Sequence, residues 1–228
     1  MRMGKIFTAL GLMSGTSMDG VDASIIQTDG KSEYKAILDK YFEYPSNIYQ
    51  NLTKLRDKIN SSKDLKKQQN QIKTVEKEIT IFHARAVNEI LTKNRINIDF
   101  IGFHGQTIFH SAKEKITKQI GDGKLLSKLT KEKVIYNFRQ NDLKNDGEGA
   151  PLTPIFHKML AEKFNLVQKK ISPSTQATFI NIGGITNITR IDSYFNIYAL
   201  DCGPGMCLID KWMRLNSKNK MDKGGKIA

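Results

Sequence analysis

The sequence predicts an α/β protein built as two related lobes. Three features point to it. Short runs of β-branched and apolar residues alternate with one long stretch of helical period. Gly-rich and hydroxyl-rich segments sit at the ends of the strand-like runs. A succession of strand, Gly turn, strand and third strand occurs near residue 6 and again near residue 179.

Residues 6–13 read as a buried strand, and residues 14–20 (Ser-Gly-Thr-Ser-Met-Asp-Gly) as a turn. Residues 21–28 form a second strand, Asp29-Gly30 a hairpin turn, and residues 34–44 a third strand that Pro45 ends. Residues 47–94 read as helical. Ile72, Val75, Ile79, Phe82, Ala86 and Ile90 recur at spacings of three and four and make one apolar stripe. The polar stretch 63–71 marks a loose start or a break. Residues 98–103 are a strand leading into His104-Gly105-Gln106, and residues 134–138 another, followed by a polar loop over 139–149. Residues 151–164 read as a helix with Pro151 in its first turn. A polar connector at 168–176 precedes three short strands at 179–182, 185–191 and 195–200, a turn at 202–205, and a helix from Leu208 to Leu215.

A chain of 228 residues can bury a sizeable core in one large domain or two small ones. With 39% hydrophobic and 26% charged residues, the balance is that of a soluble globular protein. No apolar run approaches the roughly 18 residues of a bilayer span. The apolar start runs straight into a Gly-rich turn, as a first strand does and an export signal does not, so the cytoplasm is the expected compartment. Cys202 and Cys207 lack the partners of a Cys-based zinc site and are expected to pack near a turn. The net charge of +13 raises nucleic-acid binding. Its lysines, however, are scattered over 54–77 and 113–133, without interleaved aromatics or a nucleic-acid motif. A solvated basic surface is the expectation, with neither nucleic acid nor membrane as partner.

Five segments carry side chains suited to chemistry. In Gly15-Thr16-Ser17-Met18-Asp19-Gly20-Val21-Asp22, a turn between two strands offers backbone N–H groups and hydroxyls to phosphate oxygens. Asp19 suits Mg²⁺, which prefers oxygen ligands and keeps its waters. Taken alone, the segment is equally a hairpin with a hydrophilic turn, and it lacks the Gly-Lys-Ser/Thr ending of a Walker loop. In Gly102-Phe103-His104-Gly105-Gln106-Thr107, His104 and Gln106 stand at a strand end, where side chains often line a cleft. They suit sugar hydroxyls or an acetamido group, although a lone His is more often structural. In residues 138–142 and 147–151, Asp142 is a candidate base toward water or a sugar hydroxyl. Arg139 is a candidate partner for a carboxylate. A capping Asp and a surface Arg explain the same pattern. Asn181-Ile182-Gly183-Gly184 and Asp201-Cys202-Gly203-Pro204-Gly205 are further Gly turns. Five such loops in one chain are hard to explain as turns alone.

Together and in this order, these segments resemble the anhydro-N-acetylmuramic acid kinases. The resemblance rests on residues 11–22, on Gly-x-His-Gly-Gln-Thr at 102–107, Phe-Arg-x-x-Asp at 138–142, Gly-Ala-Pro-Leu at 149–152, Asn-Ile-Gly-Gly-Ile at 181–185 and Asp-x-Gly-Pro-Gly at 201–205. It implies the two-lobed fold of the actin, Hsp70 and sugar-kinase group, a ribonuclease-H-like α/β architecture with ATP between the lobes. It implies ATP and Mg²⁺ as cofactors and anhydro-N-acetylmuramic acid as substrate. The 1,6-anhydro ring is opened by water and the freed 6-hydroxyl is phosphorylated, in peptidoglycan recycling. Carried over by position, Gly15 to Asp22 match the phosphate loop with Asp19 on the metal, and Asn181, Gly183 and Gly184 the second phosphate-side turn. Asp142 matches the base. His104, Gln106 and Arg139 fall on the sugar side, and Asp201, Gly203 and Gly205 in a cleft-lining loop.

Asn137 stands where the family usually has Asp. Asp146 and Glu148 interrupt a usual Gly-Gly-Gln-Gly, and Cys202 and Met206 replace Thr and Asn. Added negative charge at 146 and 148 is expected to weaken anionic ligands. The family extends beyond the equivalent of Ala228. The resemblance therefore implies a complete first lobe over 1–172 and a partial second lobe over 173–228. It also implies weak or absent activity in the isolated chain, and either a homodimer or a complementing C-terminal chain as partner.

Overall fold

The three opening strands expected from the turns at 14–20 and Asp29-Gly30 are present in the computed structural model, which describes residues 5–167, 176–219 and 221–227. Strand β1 (Phe7–Ser14) pairs antiparallel with β2 (Gly20–Thr28), and β2 pairs with β3 (Tyr34–Glu43). The chain then turns helical in α1 (Ser46–Arg56), α2 (Ser62–Lys67) and α3 (Gln69–Asn94). Strand β4 (Phe100–Ser111) returns parallel to β1. Next come β5 (Ile116–Ile120), α4 (Gly123–Thr130), β6 (Val134–Tyr136) and α5 (Phe138–Lys144). The sheet order is β3-β2-β1-β4-β5, with β6 also on β4. Three antiparallel strands followed by a parallel fourth make the mixed sheet expected of the actin-like kinase fold.

Helix α3 packs its stripe on this sheet. Ile72, Val75, Ile79, Val87 and Ile90 are buried with Leu10, Val21, Ile25 and Ile101 in one core. One position departs from the expected stripe: Phe82 is only half-buried and meets Tyr44 edge-on, whereas His83 is fully buried. Two elements were not legible in the sequence. Strand β5 and helix α4 lie in a stretch whose many lysines mask a short apolar pattern, yet Ile120 and Leu126 are both fully buried. Helix α5 replaces the expected loop over 139–149. The predicted strand at 134–138 is correspondingly shorter, because Asn137 turns left-handed (φ 62°) just before the helix. A left-handed backbone is cheaper for Asn than for most residues.

Contacts divide the chain into two compact units, Met1–Gly149 and Ala150–Ala228. The lobe division expected at 172/173 falls outside the described residues. The second unit opens with α6 (Pro154–Lys163), whose first turn holds Pro154 and not Pro151. Three antiparallel strands follow in order, β7 (Ala177–Ile182), β8 (Ile185–Ile191) and β9 (Ile197–Pro204), and then α7 (Cys207–Asn216). Strand β9 runs on to Pro204, through most of the segment read as a turn at 202–205. The unit's core is small: Ala161, Val167, Ala177 and Ile191, flanked by Phe179 and Phe195. His157 of α6 stacks on Phe179 with ring centres 4.6 Å apart.

Candidate functional site

The turn between β1 and β2 is held from below. Met18 and Val21 point into the core, and Met18 adopts a left-handed backbone (φ 60°) while being fully buried. Of residues 15–22, Thr16 and Asp22 are exposed, while Gly15, Ser17 and Asp19 are half-buried. Met18 and Val21 therefore anchor the turn, and their neighbours present its outer surface. Ser17 Oγ donates to Asp19 Oδ1 at 2.6 Å. The Tyr41 hydroxyl, from β3, also bonds Asp19; burial and then the nearby carboxylates push it up to about 12. Burial, and next the Asp19 charge, raise Asp22 from its ordinary value. Two carboxylates thus sit beside one turn. Among the described residues no group of three or more His, Cys, Asp or Glu side chains is placed to hold a metal.

Strand β4 bulges as it passes this turn. Leu12 aligns with Phe103, but Ser14 aligns with Gln106, so β4 carries an extra residue. Gly105 takes up the irregularity at φ 72°, and a Cβ there would lie 2.4 Å from Ile120 O. The bulge turns Gln106 inward. It is fully buried, and its Nε2 donates to Gly15 O at 2.8 Å. Gln106, expected on the sugar side, is thus tied to the turn between β1 and β2.

His104 and Asp142 belong to one hydrogen-bonded group. His104 Nδ1 donates to Gly105 O (2.7 Å), which leaves Nε2 free to accept from Arg139 Nε (3.0 Å). Burial, and then the adjacent guanidinium, press His104 down to about 4, so the ring is neutral near pH 7. Arg139 Nη1 donates onward to Gly149 O at 2.6 Å. Gly149 N in turn donates to Asp142 Oδ2 at 2.7 Å. Arg139 and Asp142 lie three residues apart on α5 and face the same way. A Cβ at Gly147 would come within 2.2 Å of the Asp142 carboxylate, so the chain can close over Asp142 only because residue 147 is Gly. Asp142 itself is exposed. Its exposure follows from the place of α5 at the surface of this unit, with only Leu143 of its residues buried.

In the second unit, the two Gly turns are joined. Gly205 N donates to Gly184 O (2.9 Å) and Met206 N to Gly183 O (2.8 Å). Strand β8 stands between β7 and β9, so the ends of both outer strands come together at Gly183–Gly184. Asn181 and Asp201 are exposed, while Gly183, Gly184, Gly203 and Gly205 are half-buried.

A family model for anhydro-N-acetylmuramic acid kinase matches residues 7–228. The chain belongs to the anhydro-N-acetylmuramic acid kinase family. Its relatives named as that kinase include proteins from Pelagibacter ubique (55% identical over 228 residues), Agrobacterium fabrum (40% over 229) and Rhizobium etli (37% over 229). Each alignment covers 99% of this chain but only 59–60% of the relative. The chain thus spans about 60% of the length of the curated relatives it matches.

Two of this family member's unusual residues have local explanations. Asn137 occupies the left-handed position before α5. Asp146, also left-handed (φ 66°), forms an exposed ion pair with Lys115, which offsets part of the charge it adds. Glu148 and Cys202 are exposed. Sequence reasoning did not single out Ser14, Tyr41, Tyr44 or His83, all of which bond in or beside the turn between β1 and β2. One signal for His83 existed: a polar residue four positions after Ile79, on the buried stripe.

Proposed function

We propose that this chain carries the phosphate-side and base residues of an ATP-dependent kinase acting on anhydro-N-acetylmuramic acid. The observation that supports the reading most is the Asp142 group. A carboxylate is held by Gly149 N–H, covered by Gly147, and linked through Arg139 to His104. In this reading water attacks the anomeric carbon, and Asp142 takes the water's proton. The bond from that carbon to O6 breaks, and O6 then bonds to the γ-phosphorus as ADP leaves. The product is N-acetylmuramic acid 6-phosphate. Neutral His104, with Arg139, orients the sugar-side segment.

The residues present fit a phosphate with Mg²⁺. Residues 15–22 combine an exposed hydroxyl with the neighbouring carboxylates of Asp19 and Asp22, whose mutual repulsion a cation relieves. Asn181, Gly183 and Gly184 form the second phosphate-side turn, and Asp201, Gly203 and Gly205 line the ligand. Bound Mg²⁺ would neutralise charge on the transferring phosphoryl group. The reading places the protein in the cytoplasm, in peptidoglycan recycling, as a homodimer or with a complementing chain. Among the described residues no helix is long and apolar enough to cross a membrane.

A second reading, a non-catalytic chain of the same ancestry, is favoured by the exposure of Asp142, since proton abstraction gains from excluded water. A coupled ADP-release assay with ATP, Mg²⁺ and anhydro-N-acetylmuramic acid separates the two. The kinase reading expects turnover that Asp142→Asn lowers by about 10³-fold or more. Turnover indistinguishable from the enzyme-free background supports the second reading. Near-normal turnover in Asp142→Asn removes Asp142 from the role of base.

A further inference from the structure

Beneath the phosphate-side turn lies a polar chain that the proposed chemistry does not use. Ser14, Tyr44 and His83 come from the end of β1, the segment after β3 and the middle of α3, and each is at most 2% exposed. The hydrogen-bond directions are determined by the partners. The Ile79 carbonyl can only accept, so His83 Nδ1 carries the proton and donates to it at 2.7 Å. His83 Nε2 is then an acceptor, 3.2 Å from Ser14 Oγ, and Ser14 donates to it. The Tyr44 hydroxyl, 2.9 Å away, donates to Ser14 Oγ. Tyr44 N–H also donates to Asp19 O at 2.7 Å. The opening of the turn is held separately, by Gln106 Nε2 on Gly15 O. Burial presses His83 down to about 4, so the arrangement needs no change of protonation near neutral pH.

We infer that Ser14, Tyr44 and His83 are positioning residues that fix the backbone of the phosphate-side turn from both ends. They touch no ligand; they act through Gly15 and Asp19. The inference rests on reading residues 15–22 as the phosphate-binding turn, and its test separates the two ideas.

The test uses the full chain carrying Tyr44→Phe, Ser14→Ala, His83→Leu or His83→Gln. The glutamine amide oxygen can replace Nε2 as acceptor, whereas leucine cannot. Two measurements are made on each: calorimetric binding of ATP with Mg²⁺ and, separately, of anhydro-N-acetylmuramic acid; and hydrogen exchange at the amides of residues 15–20. Tyr44→Phe, Ser14→Ala and His83→Leu are expected to weaken ATP about tenfold, the worth of one buried hydrogen bond. Sugar affinity should change less than twofold, and exchange should quicken at 15–20 but not along β1. His83→Gln should stay near the parent on both. If the parent binds no ATP but exchange in the turn still quickens in the three variants and not in His83→Gln, the positioning role stands and the phosphate reading fails. Unchanged exchange at 15–20 in Tyr44→Phe and Ser14→Ala overturns the positioning role, whatever the parent binds. Equal loss of ATP and sugar binding, with exchange quickened throughout, also overturns it, since that is general loosening.

Discussion

Asp142 shows how a candidate base depends on a residue with no side chain. Its carboxylate receives the Gly149 N–H, and Gly147 packs flush against it. Replacing Gly147 with Ala puts a methyl group where the carboxylate now sits. The carboxylate is the more mobile partner, so it should swing away while α5 stays folded. Turnover in Gly147→Ala is expected to fall about 100-fold, with a melting temperature within a few degrees of the parent. Activity equal to the parent would show that the close packing has no bearing on the base. Gly105 is constrained twice, by a left-handed φ and by Ile120 O.

At the scale of elements, α3 and α4 owe their stability to different sources. Helix α3 is long and carries one buried stripe, so packing dominates. Ile79→Ala removes a fully buried side chain and is expected to cost about 2–5 kcal/mol in urea unfolding. Helix α4 is short, and its start depends on a cap: Asp122 Oδ1 accepts from Lys124 N and Leu125 N at 2.9 Å each. Asp122→Ala should cost about 1 kcal/mol in the same measurement. A larger loss for Asp122→Ala than for Ile79→Ala would reverse this assignment. The long helix was legible because Ile72, Val75, Ile79, Phe82, Ala86 and Ile90 recur at helical spacing. Helix α4 was not, because a cap and one buried Leu126 make too brief a pattern. Strand β5 was missed for a related reason: Thr117 and Ile120 are its only buried residues, in a Lys-rich stretch.

At the scale of the molecule, the histidines set an acid limit. His83 is pressed to about 4 by burial, and His104 to about 4 by burial and Arg139. Unfolded histidine titrates near about 6.5. Between these values the unfolded chain binds more protons than the folded one, so stability falls as pH drops from about 6.5 toward 4 and is flat above. Each histidine contributes on the order of 3 kcal/mol across that window. The carboxylates of Asp64 and Glu89, held near 2 by hydrogen bonds from Ser61 and from Lys40 respectively, act in the same direction but only at lower pH. Urea midpoints at pH 7.5, 6 and 5 should decline steadily; equal midpoints at 7.5 and 5 would mean that neither ring is kept neutral by the fold.

The order of motifs along the chain was enough to determine the family and the α/β class, because turns and strand periods are local and each is written in a few adjacent residues. The candidate base, Arg139 and the Gly- and hydroxyl-rich turn over 15–22 were likewise legible as residue types. What only the tertiary structure decided is which of them meet. The β4 bulge turns Gln106 inward and onto Gly15, 91 positions away in sequence. His83 leaves the apparent monotony of an apolar stripe to bond Ser14, and α5 brings Asp142 to Gly149. Each depends on a register or a close approach between distant segments, which is set by packing and hydrogen-bond geometry and leaves no local pattern to read.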